Sequence, residues 1–126
     1  MRKIAILVWC LLPIVALAYH LGPGQQKMIL EDASDALHQA ETYVASQQWD
    51  KAVVAFDLAL SNLSKDKVDE SRRIRLEKAK AQMFAAQLPA ASTDLKALVD
   101  ELVDESNESE AVADPDLLNE ARAALA

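Results

Sequence analysis

Alanines at helical spacings between residues 40 and 60 constrain the fold of this chain more than any other feature of its sequence. Ala40 and Tyr43 lie on one predicted helical arm, and Ala52, Phe56 and Ala59 lie on the next. Alanine lets two helix backbones approach closely, and an aromatic ring beside it fills the remaining space. The pattern therefore predicts two helices packed as an antiparallel hairpin.

The composition favours an all-α fold. Glycine occurs only at positions 22 and 24, and runs of β-branched residues are missing after residue 30, so the usual signals for β-hairpins are lacking. With 52% hydrophobic and 26% charged residues, the 126-residue chain can form one compact domain. We expect residues 25–126 to form this domain without a disulfide, because the single cysteine, Cys10, precedes it.

Residues 1–24 are set apart as a targeting segment followed by a Gly/Pro break. Arg2 and Lys3 precede an apolar run, and the small residues that follow suit cleavage by a signal peptidase after Ala18. An uncleaved anchor is the alternative, since residues 4–21 carry no formal charge and about 20 apolar residues span a bilayer. In both cases we expect an exported domain that is periplasmic or secreted, or anchored with membrane contact only through residues 4–21.

Apolar residues that recur every three or four positions predict five helices after this break. The predicted helices cover about residues 28–47, 49–63 and 68–87, a stretch that begins near Pro89, and a stretch that begins at Pro115. Gln47 and Gln48 are expected to form the first turn, residues 104–109 a solvated acidic loop, and Asp114 the N-cap of the last helix.

The two halves of this helical region repeat with an offset of 39 residues. This offset places Ala40 on Ala79 and Leu37 on Leu76, so the first arms of the two hairpins match. The other matched pairs are Val44 with Met83, Ala52 with Ala91, and Phe56 with Leu95. Because both arms match at a single offset, the sequence predicts two similar hairpins stacked side by side.

Small residues at three helix-contact positions, Ala40, Ala52 and Ala59, with Trp49 opening the second arm, resemble a tetratricopeptide repeat (TPR). The resemblance implies antiparallel helical hairpins stacked as a short solenoid. It places repeat units over residues 33–64 and 72–103 and a partial third over 114–126. The chain is also broadly similar to TPR proteins of the bacterial cell envelope, a match of architecture that implies no catalytic activity.

The sequence departs from the TPR pattern at the turns and at the end of the second arm. Gln47 and Ala86 replace the usual turn glycine, and Ser64 replaces the closing proline. The predicted last helix looks like the first arm of a third unit. We expect it to be either a solvating cap or the point where a longer repeat protein has been cut.

The resemblance also implies a binding surface, because the first arms of such repeats line an inner surface that holds a peptide or a partner helix. The candidate partner-binding residues are Leu37, Glu41 and Val44 from the first unit and Arg73, Leu76, Lys80, Met83 and Phe84 from the second. The alternative interpretation is that Leu37, Leu76 and Met83 are core residues between hairpins.

Charge and chemistry exclude several other classes of function. The formal net charge is −7, and removal of Arg2 and Lys3 with the first 18 residues makes it −9, so we expect no nucleic-acid partner. The basic cluster of Arg72, Arg73, Arg75, Lys78 and Lys80 is interpreted as a solvated face with local pairing to Glu77, with an acidic partner or lipid headgroup as the alternative.

No catalytic or metal-binding pattern is visible. His38 lacks a second soft ligand within reach in the sequence, and the acidic run over residues 100–105 lacks the central glycine of a calcium loop. We expect no enzyme activity, no metal and no cofactor. The predicted function is an extracytoplasmic, non-catalytic protein-binding scaffold. The alternatives are a structural or self-associating helical subunit and, less favoured, a small-ligand binder with a pocket between hairpins.

Overall fold

The computed structural model describes residues 24–108 and 114–126, with side chains from residue 31 onward. The expected targeting segment lies outside the described residues. Within them the chain is helical and contains no strand, which confirms the all-α prediction. The five helices are α1 (Gly24–Ala45), α2 (Trp49–Asn62), α3 (Val68–Phe84), α4 (Leu88–Glu108) and α5 (Pro115–Leu125).

The helix order matches the sequence prediction, but several boundaries differ from it: α1 spans Gly24–Ala45, where about residues 28–47 were predicted. α3 ends at Phe84, three residues before the predicted end. α4 continues to Glu108, so the predicted acidic loop over residues 104–109 was wrong for every residue of it that the structure describes. The end of α4 is held against the rest of the protein, because Leu102, just before the predicted loop, is fully buried and Glu105 pairs with Arg72 of α3. The acidic composition indicated solvent, and Asp104 and Glu108 are exposed, but Glu105 has a cationic partner on α3.

Consecutive helices pack side by side along the chain, and the ion pairs between them give their directions. Lys78 of α3 binds Asp94 near the start of α4, and Arg72, earlier on α3, binds Glu101 later on α4. Since earlier residues of one helix meet later residues of the other, α3 and α4 are antiparallel. The short connections between α1 and α2, and between α3 and α4, therefore make two hairpins.

The turn between α1 and α2 is a Schellman motif. The backbone N–H of Gln48 donates to the carbonyl oxygen of Tyr43 at 2.8 Å, and that of Gln47 donates to Val44 at 3.0 Å. Gln47 has a φ of 59°, in the left-handed region that this motif requires at the residue after the C-cap. Glycine is the usual residue there because it has no Cβ to clash.

The turn between α3 and α4 repeats this motif residue for residue, 39 positions later. The N–H of Gln87 donates to Gln82 at 2.8 Å and that of Ala86 to Met83 at 3.2 Å. Ala86 has a φ of 60°. Two identical hydrogen-bond patterns, each with a non-glycine residue in the left-handed region, therefore stand at the offset that relates the side chains. The repeat extends to the backbone.

Ala86→Gly is expected to raise the free energy of unfolding by about 0.5–1 kcal/mol. The left-handed conformation costs an L-residue about 1–2 kcal/mol, and the extra freedom of glycine in the unfolded chain offsets part of the gain. Urea titration measures the change. Ala85→Gly is the matched control, because Ala85 has a φ of −78° and glycine should lower stability there. Changes of the same sign at both positions would contradict the steric explanation.

Alanines and leucines form two adjoining hydrophobic clusters, and α3 contributes to both. The first cluster contains Ala40, Ala52, Val53, Ala55, Phe56, Ile74 and Ala81. The second contains Leu76, Ala79, Leu95, Leu98, Leu102, Leu117 and Ala121. Ala40 and Ala52 are completely buried in the same cluster, on helices separated by the turn at residues 46–48. The close approach predicted from alanine spacing is therefore present in the first hairpin.

Candidate functional site

The three candidate residues on α1 lie at the edge of the first cluster. Leu37 and Val44 are half-buried and pack against it, so each offers only part of its side chain to a partner. Glu41 is exposed, and its carboxylate is 3.9 Å from Nδ1 of His38. The face of α1 thus combines a small apolar surface with an accessible carboxylate.

The candidate residues on α3 divide between core and surface. Leu76 is 1% exposed in the second cluster and offers no contact area in this conformation. Met83 and Phe84, at the end of the helix, are 38% and 68% exposed. The ring of Phe84 stacks on that of Trp49 with 4.6 Å between centroids and 22° between planes. The stack fixes an exposed aromatic surface at the junction of the two hairpins.

Arg73 and Lys80, the two basic candidates, bind the last helix. Nη2 of Arg73 lies 3.3 Å from Oδ2 of Asp114, the N-cap of α5. Nζ of Lys80 donates to Glu77 at 2.9 Å and also to Glu120 of α5. A cleft of about 410 Å³ lies between α3, at Arg73 and Glu77, and α5. Both cations are already engaged by carboxylates of this chain.

The whole basic cluster on α3 is paired across helices. Arg72 is 8% exposed, and its guanidinium lies 2.9 Å from Glu101 and 2.6 Å from Glu105. Arg75 reaches the other oxygen of Glu101 at 2.6 Å. The interpretation as a solvated, locally paired face was therefore wrong for these residues. A local Lys80–Glu77 contact is present, but the cluster is chiefly a set of contacts between helices.

Lys78 makes the corresponding contacts on the other side of α3. Its Nζ lies 2.7 Å from Asp57 of α2 and 3.3 Å from Asp94 of α4. The lysine side chain is 17% exposed, so its stem is covered while its charge joins two neighbouring helices. One cation therefore connects three helices.

These pairs explain charges that oppose the helix dipoles. Arg72 stands just after the first turn of α3, and Glu105 stands in the last turn of α4, so each of these two side chains is unfavourable within its own helix. Because the helices are antiparallel, the two ends lie side by side. Each group then faces an opposite charge, which outweighs the dipole cost of about 0.3–1 kcal/mol.

The pairs also shift the ionisation of their members. Burial alone would lower the pKa of Lys78 and Lys80, but hydrogen bonds to Asp57 and Glu120 respectively outweigh it and raise each pKa. Burial would raise the pKa of Glu101, yet Arg75 and Arg72 hold it below its ordinary value of 4.5. The N–H of Leu117, followed by Arg73, likewise lowers the pKa of Asp114. Each shift favours the charged form in the folded state.

The free energy of unfolding is expected to fall below about pH 4.5 with a contribution from Glu101. Its pKa is lowered by folding, so its contribution is complete above the unfolded value and is lost as the pH falls through the lowered folded value. Urea titrations from pH 6 to pH 3 measure this fall. Glu101→Gln, which cannot titrate, should show a shallower fall, and parallel curves would contradict the assignment.

A second accessible surface lies on the first hairpin, and the sequence analysis did not identify it. Val54 and Leu58 of α2 are 68% and 49% exposed, and they line a groove of about 330 Å³ with Tyr43 of α1. Nζ of Lys51 lies 5.7 Å from the centroid of the Tyr43 ring. In the sequence, Val54 and Leu58 are apolar but lie outside the helical periodicity of the buried face, and this pair could have indicated the groove.

Comparison of the chain with protein-family models, with curated proteins and with solved structures found no match. The helices in the described ranges include none that is both long enough and apolar enough to cross a bilayer. Nor do residues 24–108 and 114–126 contain three or more acidic, histidine or cysteine side chains grouped as metal ligands would be.

Proposed function

We propose that this chain is a non-catalytic protein-interaction scaffold of the TPR type that acts outside the cytoplasm. The observation that carries the proposal is the repetition of the Schellman turn at 39 residues, with Gln47 and Ala86 in the same left-handed conformation. Completely buried alanines at the same offset, Ala40 and Ala79, support it. Repeated hairpins whose neighbours bury a continuous core are the physical basis of helical solenoids.

The binding surface of this scaffold is the exposed end of the first arms. Phe84 presents apolar area there beside Trp49, and Met83 lies in a neighbouring groove with Leu88 and Leu125. The exposed Glu41 and the half-buried Val44 of α1 are assigned to the same surface. An amphipathic segment could place apolar anchors on the Trp49–Phe84 stack and a basic group near Glu41, which is the helix-in-groove mode of recognition. Exposed aromatic side chains often supply most of the binding energy in such contacts.

Phe84→Ser tests this function against a matched variant. The wild-type chain is used as bait in an extract of cell envelopes, and captured proteins are compared by mass spectrometry. Val54→Ser is the control, because Val54 has the same 68% exposure but lies on a second arm. The proposal expects a specific captured protein that Phe84→Ser loses and Val54→Ser retains. Loss with Val54→Ser alone, or no difference between the two variants, would contradict it.

The extracytoplasmic location rests on the sequence of residues 1–24, which lie outside the described side chains. The proposal is that this segment directs export and is then either cleaved after Ala18 or kept as an anchor. Mass spectrometry of the mature protein distinguishes the two, since cleavage leaves Tyr19 as the first residue. A full-length chain recovered from the cytoplasmic fraction would contradict export.

Self-association is the second candidate function, and exposed apolar residues favour it. Val54 and Leu58 lie on the first hairpin, while Leu88 and Leu125, which are 60% and 39% exposed, lie at the other end of the helix series. Terminal repeats of a monomeric solenoid usually present a polar outer face. Sedimentation of the exported part over a range of concentrations is the test. A monomer at all concentrations would exclude this candidate.

A further inference from the structure

Helix α5 lies on α3 and α4 with complementary charges and a small apolar face. Asp114 and Glu120 meet Arg73 and Lys80, which are seven residues apart on α3. Earlier residues of one helix meet earlier residues of the other, so α5 runs parallel to α3. Leu117 stands between the two acidic residues along α5 and packs into the second cluster. The docked face of α5 therefore has an acidic, apolar, acidic order.

α5 contributes few buried residues to the core. It has 11 residues, of which only Leu117 and Ala121 are buried, whereas α2 has 14 residues and five that are buried. Its contact is chiefly with α4, and it touches α3 at only a few residues. Elements with few buried apolar contacts open at a lower free energy than the core of the same protein.

The surface beneath α5 is suited to receive such a helix. Leu76 of α3 and Leu95, Leu98 and Leu102 of α4 belong to the cluster that Leu117 and Ala121 complete. Arg73 and Lys80 border it on α3. A helix without carboxylates at these places would leave the two cations with weaker partners, and a basic helix would repel them. Apolar shape and charge both specify the occupant.

We propose that α5 is a built-in occupant of a binding surface on α3 and α4, and that an acidic amphipathic helix of a partner protein displaces it. The partner helix would carry a carboxylate, a leucine three residues later, a second carboxylate three after that and a small residue next, the order of Asp114, Leu117, Glu120 and Ala121. This inference rests on the proposed scaffold function, and it concerns a second binding surface, separate from the Trp49–Phe84 stack. The internal helix would reduce the apparent affinity of a ligand for this surface to the fraction of molecules in which α5 is undocked.

A labelled peptide of residues 114–126 tests the surface, with the full-length chain as receptor. Ala121→Glu places a charge at a fully buried position and should release α5, and Leu117→Ala is a milder second variant. The peptide is expected to bind the Ala121→Glu chain at least about tenfold more tightly than the wild-type chain, where α5 competes. Equal affinity for the two chains would overturn the proposal.

A charge swap tests the contact that gives specificity. Lys80→Glu in the Ala121→Glu chain should weaken binding of the peptide about tenfold. A peptide with Glu120→Lys should then recover it. Lys51→Glu, on α2, is the matched control and should change neither affinity. Binding that ignores Lys80→Glu, or that responds equally to Lys51→Glu, would show a nonspecific contact and overturn the assignment.

Two further measurements separate release of α5 from global unfolding and from exchange between copies. Circular dichroism of the Ala121→Glu and Leu117→Ala chains should show loss of α5 alone; if all helices unfold together in both, α5 is not separable and the proposal fails. Sedimentation should show monomers, and exchange of α5 between copies would overturn the claim of a distinct partner. Failure here leaves the Phe84→Ser result intact, so the two proposals can fail independently.

Discussion

Phe56→Ala is expected to lower the free energy of unfolding by about 3–5 kcal/mol, the usual range for removal of a buried aromatic side chain. The ring is 2% exposed in the first cluster, which includes Ala40 and Ala52. The neighbouring alanines have no side-chain freedom with which to fill the space, so the cavity should remain open. Phe56 fills the space between the closely packed helices α1 and α2.

Urea titration of the Phe56→Ala chain measures the loss, with Ala86→Gly as a stabilised background if the variant is too unstable alone. Val54→Ala is the control, since Val54 lies on the same helix but is 68% exposed and should change stability by less than about 0.5 kcal/mol. A loss below about 1 kcal/mol for Phe56→Ala would mean that the two helices of the first hairpin move together and close the cavity left by the ring. The interpretation of the alanine pattern as close helix approach would then be wrong.

Leu95→Ala extends the same test to the second hairpin. Leu95 stands 39 residues after Phe56, is also 2% exposed, and belongs to the second cluster. Its removal should cost about 2–5 kcal/mol, less than the loss of the larger ring if both sites are equally rigid. The losses measured for Phe56→Ala and Leu95→Ala show how much equivalent positions of the two hairpins contribute to the free energy of unfolding.

The sequence predicted the helical hairpins because their signal is local. Alanine spacing, the turn at Gln47 and the N-cap at Asp114 each depend on residues within one or two helical turns of each other. The turn positions Gln47 and Ala86 were located from the repeat pattern, which usually has glycine there, because neither residue type by itself indicates a left-handed conformation. The repeat pattern therefore indicated turn positions that the residue types alone did not.

The charged contacts could not be predicted in the same way. Arg72 and Glu101 are 29 residues apart, and Lys80 and Glu120 are 40 apart, so their pairing depends on the rotation and direction of whole helices. In the sequence, a cluster of cations and a run of carboxylates each indicate solvent. The candidate site was affected for the same reason: Arg73 and Lys80 were placed on an open surface, whereas α5 engages both.

Arg72→Met is expected to lower the free energy of unfolding by about 2 kcal/mol, between the effect of breaking a buried ion pair and that of an exposed one. The arginine side chain is 9% exposed, but Glu101 and Glu105 are 38% and 44% exposed and can regain water. Methionine keeps the apolar stem, so the loss reports on charge more than on packing. The Lys67–Glu70 pair, with both side chains near 45% exposed, is the control and should contribute less than about 0.5 kcal/mol.

A double-mutant cycle of Arg72→Met and Glu101→Gln isolates the contact between the two helices. The coupling energy should be about 1–2 kcal/mol, and it should persist at high salt more than that of the exposed control pair, because screening acts chiefly through solvent. Burial would lower the pKa of Arg72, but the hydrogen bonds to Glu101 and Glu105 outweigh this effect and raise it. The arginine therefore stays charged. A coupling near zero would mean that α4 is held to α3 by its leucines alone. The extension of α4 into the predicted loop would then depend on buried residues such as Leu102 and not on the ion pairs of Arg72.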